Sequence, residues 1–238
     1  MAKVGSTSVV EALHRAGIDA QHVHRMNREH LRRMRESRRA HGWMVLWPPR
    51  HDRLGVRLGE TLMRSGEPVR VVTLVREPIA RNLSSYFEHL DWIWQLRNAH
   101  ARVSLDALCA GFITRFTHDD VLTWFDDEIL PVLGIDVYAH PFTPAGHAVI
   151  RKAPFELLIL KSELDDATKS VALSDFFQRP IDVERANSTG AKSKGEVFRR
   201  FVKALRLPPA YVERMLNARY TKHFYTDAER DAVRTRWA

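Results

Sequence analysis

Near the start of the chain, Lys3-Val4-Gly5-Ser6-Thr7-Ser8 sets a cation ahead of small and hydroxylated residues, directly before an apolar-periodic stretch from Val9 to Ala16. A loop of small residues lets backbone N–H groups approach an anion. The helix behind it adds a partial positive charge of roughly half an elementary charge. Ser6, Thr7 and Ser8 contribute hydroxyl donors and Lys3 a mobile cation. The order differs from a Walker A loop, where lysine follows the last glycine. Taken alone, the run fits equally a plain helix N-cap whose serines satisfy the first-turn amides.

A second set begins with Pro68-Val69-Arg70-Val71-Val72-Thr73-Leu74-Val75, a β-branched and nearly continuous apolar run that reads as a strand buried on both faces. Arg76-Glu77-Pro78 follows it, and Ser84 stands eight residues beyond the arginine on the next helical run. The carboxyl end of a strand is where open α/β sheets bind ligands. The alternative is that Arg76 pairs with a carboxylate such as Glu77 or Asp126. Gln21-His22-Val23-His24 offers two imidazoles able to take a proton near neutrality. The H-x-H pair lacks a third clustered ligand, so no metal site is expected. Lys192 and Lys194 sit in a Ser-, Thr-, Gly- and Lys-rich stretch, Asn187–Gly195, that reads as a basic loop.

The elements that must position these groups alternate between helix and strand. Val9 to Ala16 reads as a helix stopped by Gly17, Asp19–Met26 as a short strand carrying both histidines, and Arg25–Arg39 as an arginine-rich helix. Trp43–Trp47 reads as a strand ended by Pro48-Pro49, and Leu54 to Arg64 as a helix. Ile79 to about Leu96 and Thr117–Glu128 read as helices, Ile135–Tyr138 and Phe155–Leu160 as strands, and most of the chain from Ser174 onward as helix. This is the pattern of an α/β layered fold with a central mainly parallel sheet flanked by helices.

In this order and spacing the two anion motifs resemble the superfamily of sulfotransferases that use 3′-phosphoadenosine 5′-phosphosulfate (PAPS). There a P-K-x-G-[ST]-[ST] loop binds the 5′-phosphosulfate, and R-[DE]-P with a serine eight residues after the arginine binds the 3′-phosphate. Trp124-Phe125-Asp126-Asp127-Glu128, Leu157–Leu164, His223-Phe224-Tyr225-Thr226 and Trp237 resemble a bacterial sulfotransferase-like family named for capsular polysaccharide synthesis. The resemblance implies a P-loop-like fold and PAPS as donor, with no metal. Lys3, Gly5, Ser6, Thr7, Ser8, Arg76 and Ser84 would hold the donor, helped by Lys192 or Lys194. Lys3 would stabilise the leaving phosphate. His24, or else His22, would be the base for a hydroxyl on a glycan or small metabolite, with Glu11 a rival because some relatives carry a catalytic carboxylate there. The superfamily also has a full strand ahead of the loop, where here only Met1 and Ala2 precede Lys3. The start therefore reads as truncated within a single domain of 1–238.

Composition bounds these readings. The 238 residues carry 37 Lys and Arg against 29 Asp and Glu, a net +8 that attracts anions without choosing among them. No aromatic interleaving or recognition motif accompanies the arginine helix, so a nucleic-acid partner is not expected. A non-catalytic nucleotide binder is the closer alternative to an enzyme. The single cysteine, Cys109, excludes an intramolecular disulfide. With no apolar run long enough to span a bilayer and no signal-peptide pattern, a cytoplasmic protein is expected.

Overall fold

The computed structural model describes residues 1–45, 50–184 and 192–237. In chain order the elements are α1 (Ser6–Arg15), α2 (Arg28–Ala40), α3 (Arg50–Ser65), β1 (Val69–Val75), α4 (Pro78–Glu88), α5 (Leu90–Ile93), α6 (Ala99–Arg102), α7 (Leu105–Arg115) and α8 (Asp120–Trp124). After a π-helical turn at Phe125–Ile129 come α9 (Leu130–Leu133), a 3-10 turn at Val137–Ala139, β2 (His147–Lys152), β3 (Phe155–Lys161), α10 (Asp166–Phe177), α11 (Lys192–Ala204), α12 (Pro209–Asn217), α13 (Arg219–Phe224) and α14 (Asp227–Trp237). They fall into two compact units. The first takes in Met1–His30, Pro48–Arg76 and Trp124–Asn187, the second Leu31–Trp47, Glu77–Thr123 and Ser188–Ala238.

The first unit holds the sheet, in the order β1-β3-β2. β1 runs parallel to β3 with Val69 opposite Phe155 and Val75 opposite Lys161, and β2 runs antiparallel with His147 opposite Leu160. The fold is α/β, but its described sheet is smaller and more mixed than the mainly parallel one expected. The hairpin explains this: only Ala153 and Pro154 separate β2 from β3, and so short a link can only reverse the chain. β3 is the central strand, with Leu157, Leu158, Ile159 and Leu160 all buried. β1 lies at an edge, so Thr73, Leu74 and Val75 are buried while Val69–Val72 are not, contrary to burial on both faces.

Several local readings change for identifiable reasons. Asp19–Met26 forms no strand, and the chain bends at His24. Residues 43–45 form no strand either, while Leu46 and Trp47 lie outside the described residues. Ile135–Tyr138 gives way to the 3-10 turn, because the Asp136 carboxylate accepts from the Tyr138 N–H at 3.0 Å and bends the backbone over itself. The run from Ile79 to Leu96 breaks at His89 into α4 and α5. Gly17 does close α1: at φ 73° it lets Ile18 N–H reach Leu13 O and Gly17 N–H reach His14 O, a Schellman ending.

The second unit is helical around an aromatic core of Tyr86, Phe87, Phe112, Phe116 and Phe201. Glu77, the middle residue of Arg-Glu-Pro, caps α4, its carboxylate accepting from Ile79 N–H at 2.6 Å and Ala80 N–H at 2.8 Å. Pro78 at the first helical position has no amide to leave unsatisfied. Within the core, His118 Nε2 donates to Phe112 O at 2.8 Å while its Nδ1 meets the Tyr211 hydroxyl at 3.0 Å. Burial lowers the His118 pKa to about 4. No helix among the described residues is long and apolar enough to cross a membrane.

Candidate functional site

The first unit brings the loop of Lys3–Ser8 and Arg76 together across more than seventy residues of sequence. Arg76, at the carboxyl end of β1, donates from Nη1 to the Lys3 carbonyl at 3.1 Å. Lys3 and Gly5 both adopt left-handed backbone, φ 63° and 78°, which bends the loop sharply into the start of α1. Gly5 is the N-cap of α1 and supplies no side-chain hydrogen bond to the first-turn amides. A Cβ built on Gly5 would have nothing within 4 Å, so an anion has clear access to the backbone there. Ser8 Oγ turns back to donate to the Gly5 carbonyl at 3.1 Å, whereas Ser6 Oγ meets His22 Nε2 at 2.9 Å. Thr7 is exposed, and Lys3 and Arg76 are half-buried.

His22 is thus the imidazole in contact with the loop. His24 stands one ring behind, edge-on to His22 with centroids 4.8 Å apart, and His51 of α3 lies 6.0 Å beyond it. Burial, followed by the charge of the amino terminus, lowers the pKa of both His22 and His24, that of His24 to about 3. Both rings are therefore neutral near pH 7, and His24 is much the weaker base. Glu11 is exposed, on the side of α1 away from the buried Val9, Ala12 and Leu13.

What holds the histidine segment is legible only in three dimensions. Gly55 and Gly59, one turn apart on α3, let Arg25 and Met26 pack directly on the helix backbone. A Cβ on Gly55 would lie 2.1 Å from Arg25 O, and one on Gly59 would lie 2.4 Å from Met26 O. Arg25 and Asp52, both buried, approach to 3.6 Å beneath the segment. From the other side comes the π-helical turn. The fully buried Glu128 accepts from Met26 N–H at 2.5 Å and Asn27 N–H at 2.9 Å, and its other oxygen meets His30 Nδ1 at 2.6 Å. Trp124 Nε1 donates to His24 O at 3.3 Å. The Trp124–Glu128 stretch is thus a brace for residues 24–30.

The remaining expected groups belong to the second unit. Ser84 is half-buried on α4, about two turns from its start. Lys192 and Lys194 lie in the first turn of α11 and not in a loop, while residues 187–191 are outside the described residues. His51 and the Gly55–Gly59 pair are the site-shaping residues that sequence reading passed over, while Glu128 was read only as part of a family resemblance. The G-x-x-x-G spacing on a helix was the available signal for the glycine pair. Among the described residues no group of three or more His, Cys, Asp or Glu is arranged to hold a metal ion.

Residues 104–226, just over half of the chain, match the model of the family described as "Putative capsular polysaccharide synthesis protein". That span contains the Trp124–Glu128 brace, β2 and β3, and lies after both anion motifs. No curated protein and no solved structure matches the chain.

Proposed function

The chain belongs to this capsular polysaccharide synthesis family, and on that premise we propose that it is a sulfotransferase moving a sulfuryl group from PAPS to an acceptor hydroxyl. The observation that carries the reading is the Arg76–Lys3 contact, which sets the strand-end arginine beside the Lys3–Ser8 loop. On this reading the open Gly5 backbone and the uncapped amides of α1 receive the phosphosulfate, with Lys3 placed to offset charge on the departing phosphate. Arg76 serves the 3′-phosphate from the end of β1. The parallel pair β1–β3 is taken as the base of a P-loop-like layering.

His22 is the base this geometry favours, because it already hydrogen-bonds a loop hydroxyl. In the reaction the acceptor oxygen forms a bond to sulfur while the bond from sulfur to the bridging phosphate oxygen breaks. The electron pair leaves with the phosphate, and the acceptor proton passes to His22 Nε2. His24 packs edge-on against His22, with ring centroids 4.8 Å apart. As in phosphoryl transfer, positioning and electrostatics supply most of the rate.

Calorimetric titration tests the donor assignment. Adenosine 3′,5′-bisphosphate should bind far more tightly than AMP or ATP, since the 3′-phosphate gains charge-assisted bonds of ~1.5–3 kcal/mol each. ATP bound as tightly as the bisphosphate would refute the assignment.

A further inference from the structure

Within the first unit, α3 presents two unlike faces. Asp52, Gly55, Val56, Gly59 and Leu62 are buried along one side. At about 100° per residue, Arg50, Arg53, Arg57 and Arg64 fall within about 60° of arc on the opposite side, a stripe about 21 Å long. All are exposed, and so is Leu54, which shares that face with 48% of its surface open. The two carboxylates of α3 do not offset the stripe. Asp52 is buried against Arg25 at 3.6 Å, and Glu60 is held at 2.7 Å by Arg28, itself an exposed cation. Among the described residues no carboxylate engages Arg50, Arg53 or Arg57. α2 differs: it carries more arginines, but Glu29 and Glu36 stand among them, and Arg32 pairs with Glu36 at 2.8 Å.

The stripe selects an anion, and what stands between the arginines selects its kind. No aromatic side chain lies within the arc, so nothing there stacks on a base or a sugar ring. No carboxylate or amide is present to accept from sugar hydroxyls, and Thr61 turns its own hydroxyl to the Arg57 carbonyl at 3.0 Å. An apolar side chain among long-stemmed arginines suits a lipid surface. There phosphates and carboxylates meet the guanidiniums while the aliphatic tip enters between headgroups. We propose that this face of α3 docks the protein on an anionic phospholipid bilayer, with Arg50, Arg53, Arg57 and Arg64 on the headgroups and Leu54 inserted among them. The proposal goes beyond sulfuryl transfer and does not depend on it.

Sedimentation with vesicles tests it, using phosphatidylcholine alone and an equal mixture of phosphatidylcholine and phosphatidylserine. The protein should bind only the mixed vesicles, and ~1 M salt, which cuts the Debye length to about 3 Å, should release it. Each arginine near such a surface strengthens binding about fivefold, the factor that ~1 kcal/mol corresponds to, so Arg53→Gln with Arg57→Gln should weaken it roughly 25-fold. Arg53→Lys with Arg57→Lys, which keeps both charges, should bind nearly as the wild type does. Leu54→Gln should cost about fivefold, because roughly half of a leucine's burial remains to be gained at the surface. Arg97→Gln with Arg102→Gln removes the same charge from the second unit and should change nothing. Thermal melts matching the wild type certify the folds, since every substituted position is exposed. Binding to phosphatidylcholine alone, equal losses in the two glutamine pairs, or indifference to Leu54→Gln would overturn the proposal. It would equally fall if duplex DNA or alginate bound through Arg53 and Arg57 while the mixed vesicles did not, because the stripe would then serve a soluble polyanion.

Discussion

Gly55→Ala is a small change whose consequences run from one helix backbone to the proposed chemistry. Alanine in a helix interior is favoured over glycine by ~0.8–1.0 kcal/mol. Here the new Cβ would lie 2.1 Å from the Arg25 carbonyl oxygen and 3.3 Å from Val23 Cβ. Carbon and carbonyl oxygen in contact ordinarily stand about 3.3 Å apart or more, so the His24–Arg25 backbone must retreat by roughly 1 Å. Overpacking of that kind costs ~1–3 kcal/mol, and backbone yields less readily than a side-chain tip. The clash should therefore outweigh the propensity gain by up to ~2 kcal/mol, a fall in melting temperature of up to ~8 °C for a chain of this size. A shift of ~1 Å at the histidines should also cost on the order of 10²-fold in turnover. Gly195→Ala is the matched control, because its Cβ would meet only Arg199 Nη1 at 3.8 Å. That variant should be neutral or stabilised by up to ~1 kcal/mol. Thermal melts of both proteins by circular dichroism, with turnover measured alongside, decide the matter. Gly55→Ala melting and turning over like Gly195→Ala would refute the packing argument.

Glu128→Ala should lower stability by roughly 3–5 kcal/mol in urea denaturation, since it strands the buried Met26 and Asn27 amides and His30; a loss under ~1 kcal/mol would mean the brace is dispensable. Arg76→Ala should weaken adenosine 3′,5′-bisphosphate at least tenfold by calorimetry, roughly 1.4 kcal/mol or more, and unchanged affinity would reduce Arg76 to a tie for the Lys3 carbonyl. Acid should destabilise the protein through His118, whose pKa is lowered from 6.5 to about 4. The unfolded chain binds that proton first, so this stability is intact above pH 6.5 and is lost as pH falls toward 4, roughly 3 kcal/mol in all. The urea midpoint should fall less steeply below pH 6.5 in His118→Gln than in wild type, the remaining slope coming from His22 and His24.

Much of the first unit could be read in the sequence because local chemistry decides it. Gly17 ends α1 as expected, since only a residue tolerant of positive φ closes a Schellman turn. The end of β1 at Val75 follows from its β-branched run, and β3 runs one residue past the expected Leu160, to Lys161. The loop at Lys3–Ser8 and Arg76 do meet, but their contact depends on a strand crossing that no spacing reveals. β2 was missed because His147–Lys152 is half polar and owes its pairing to β3. The histidine segment looked like a strand because it alternates loosely, yet strandhood requires a neighbour, and it is held by Glu128, Trp124 and the α3 glycines instead. Distant partners such as these leave little trace in local patterning.

The central claim is sulfuryl transfer from PAPS with Lys3 at the leaving oxygen. It is tested most directly by incubating the protein with ³⁵S-labelled PAPS and a mixture of candidate hydroxyl acceptors, and comparing release of label with Lys3→Ala. The account predicts transfer of label to an acceptor by the wild type and a fall of at least ~10² in Lys3→Ala, the scale of a lost oxyanion donor. Equal rates in the two proteins, or no transfer by the wild type while the bisphosphate still binds, would contradict it and leave a nucleotide-binding protein without this chemistry.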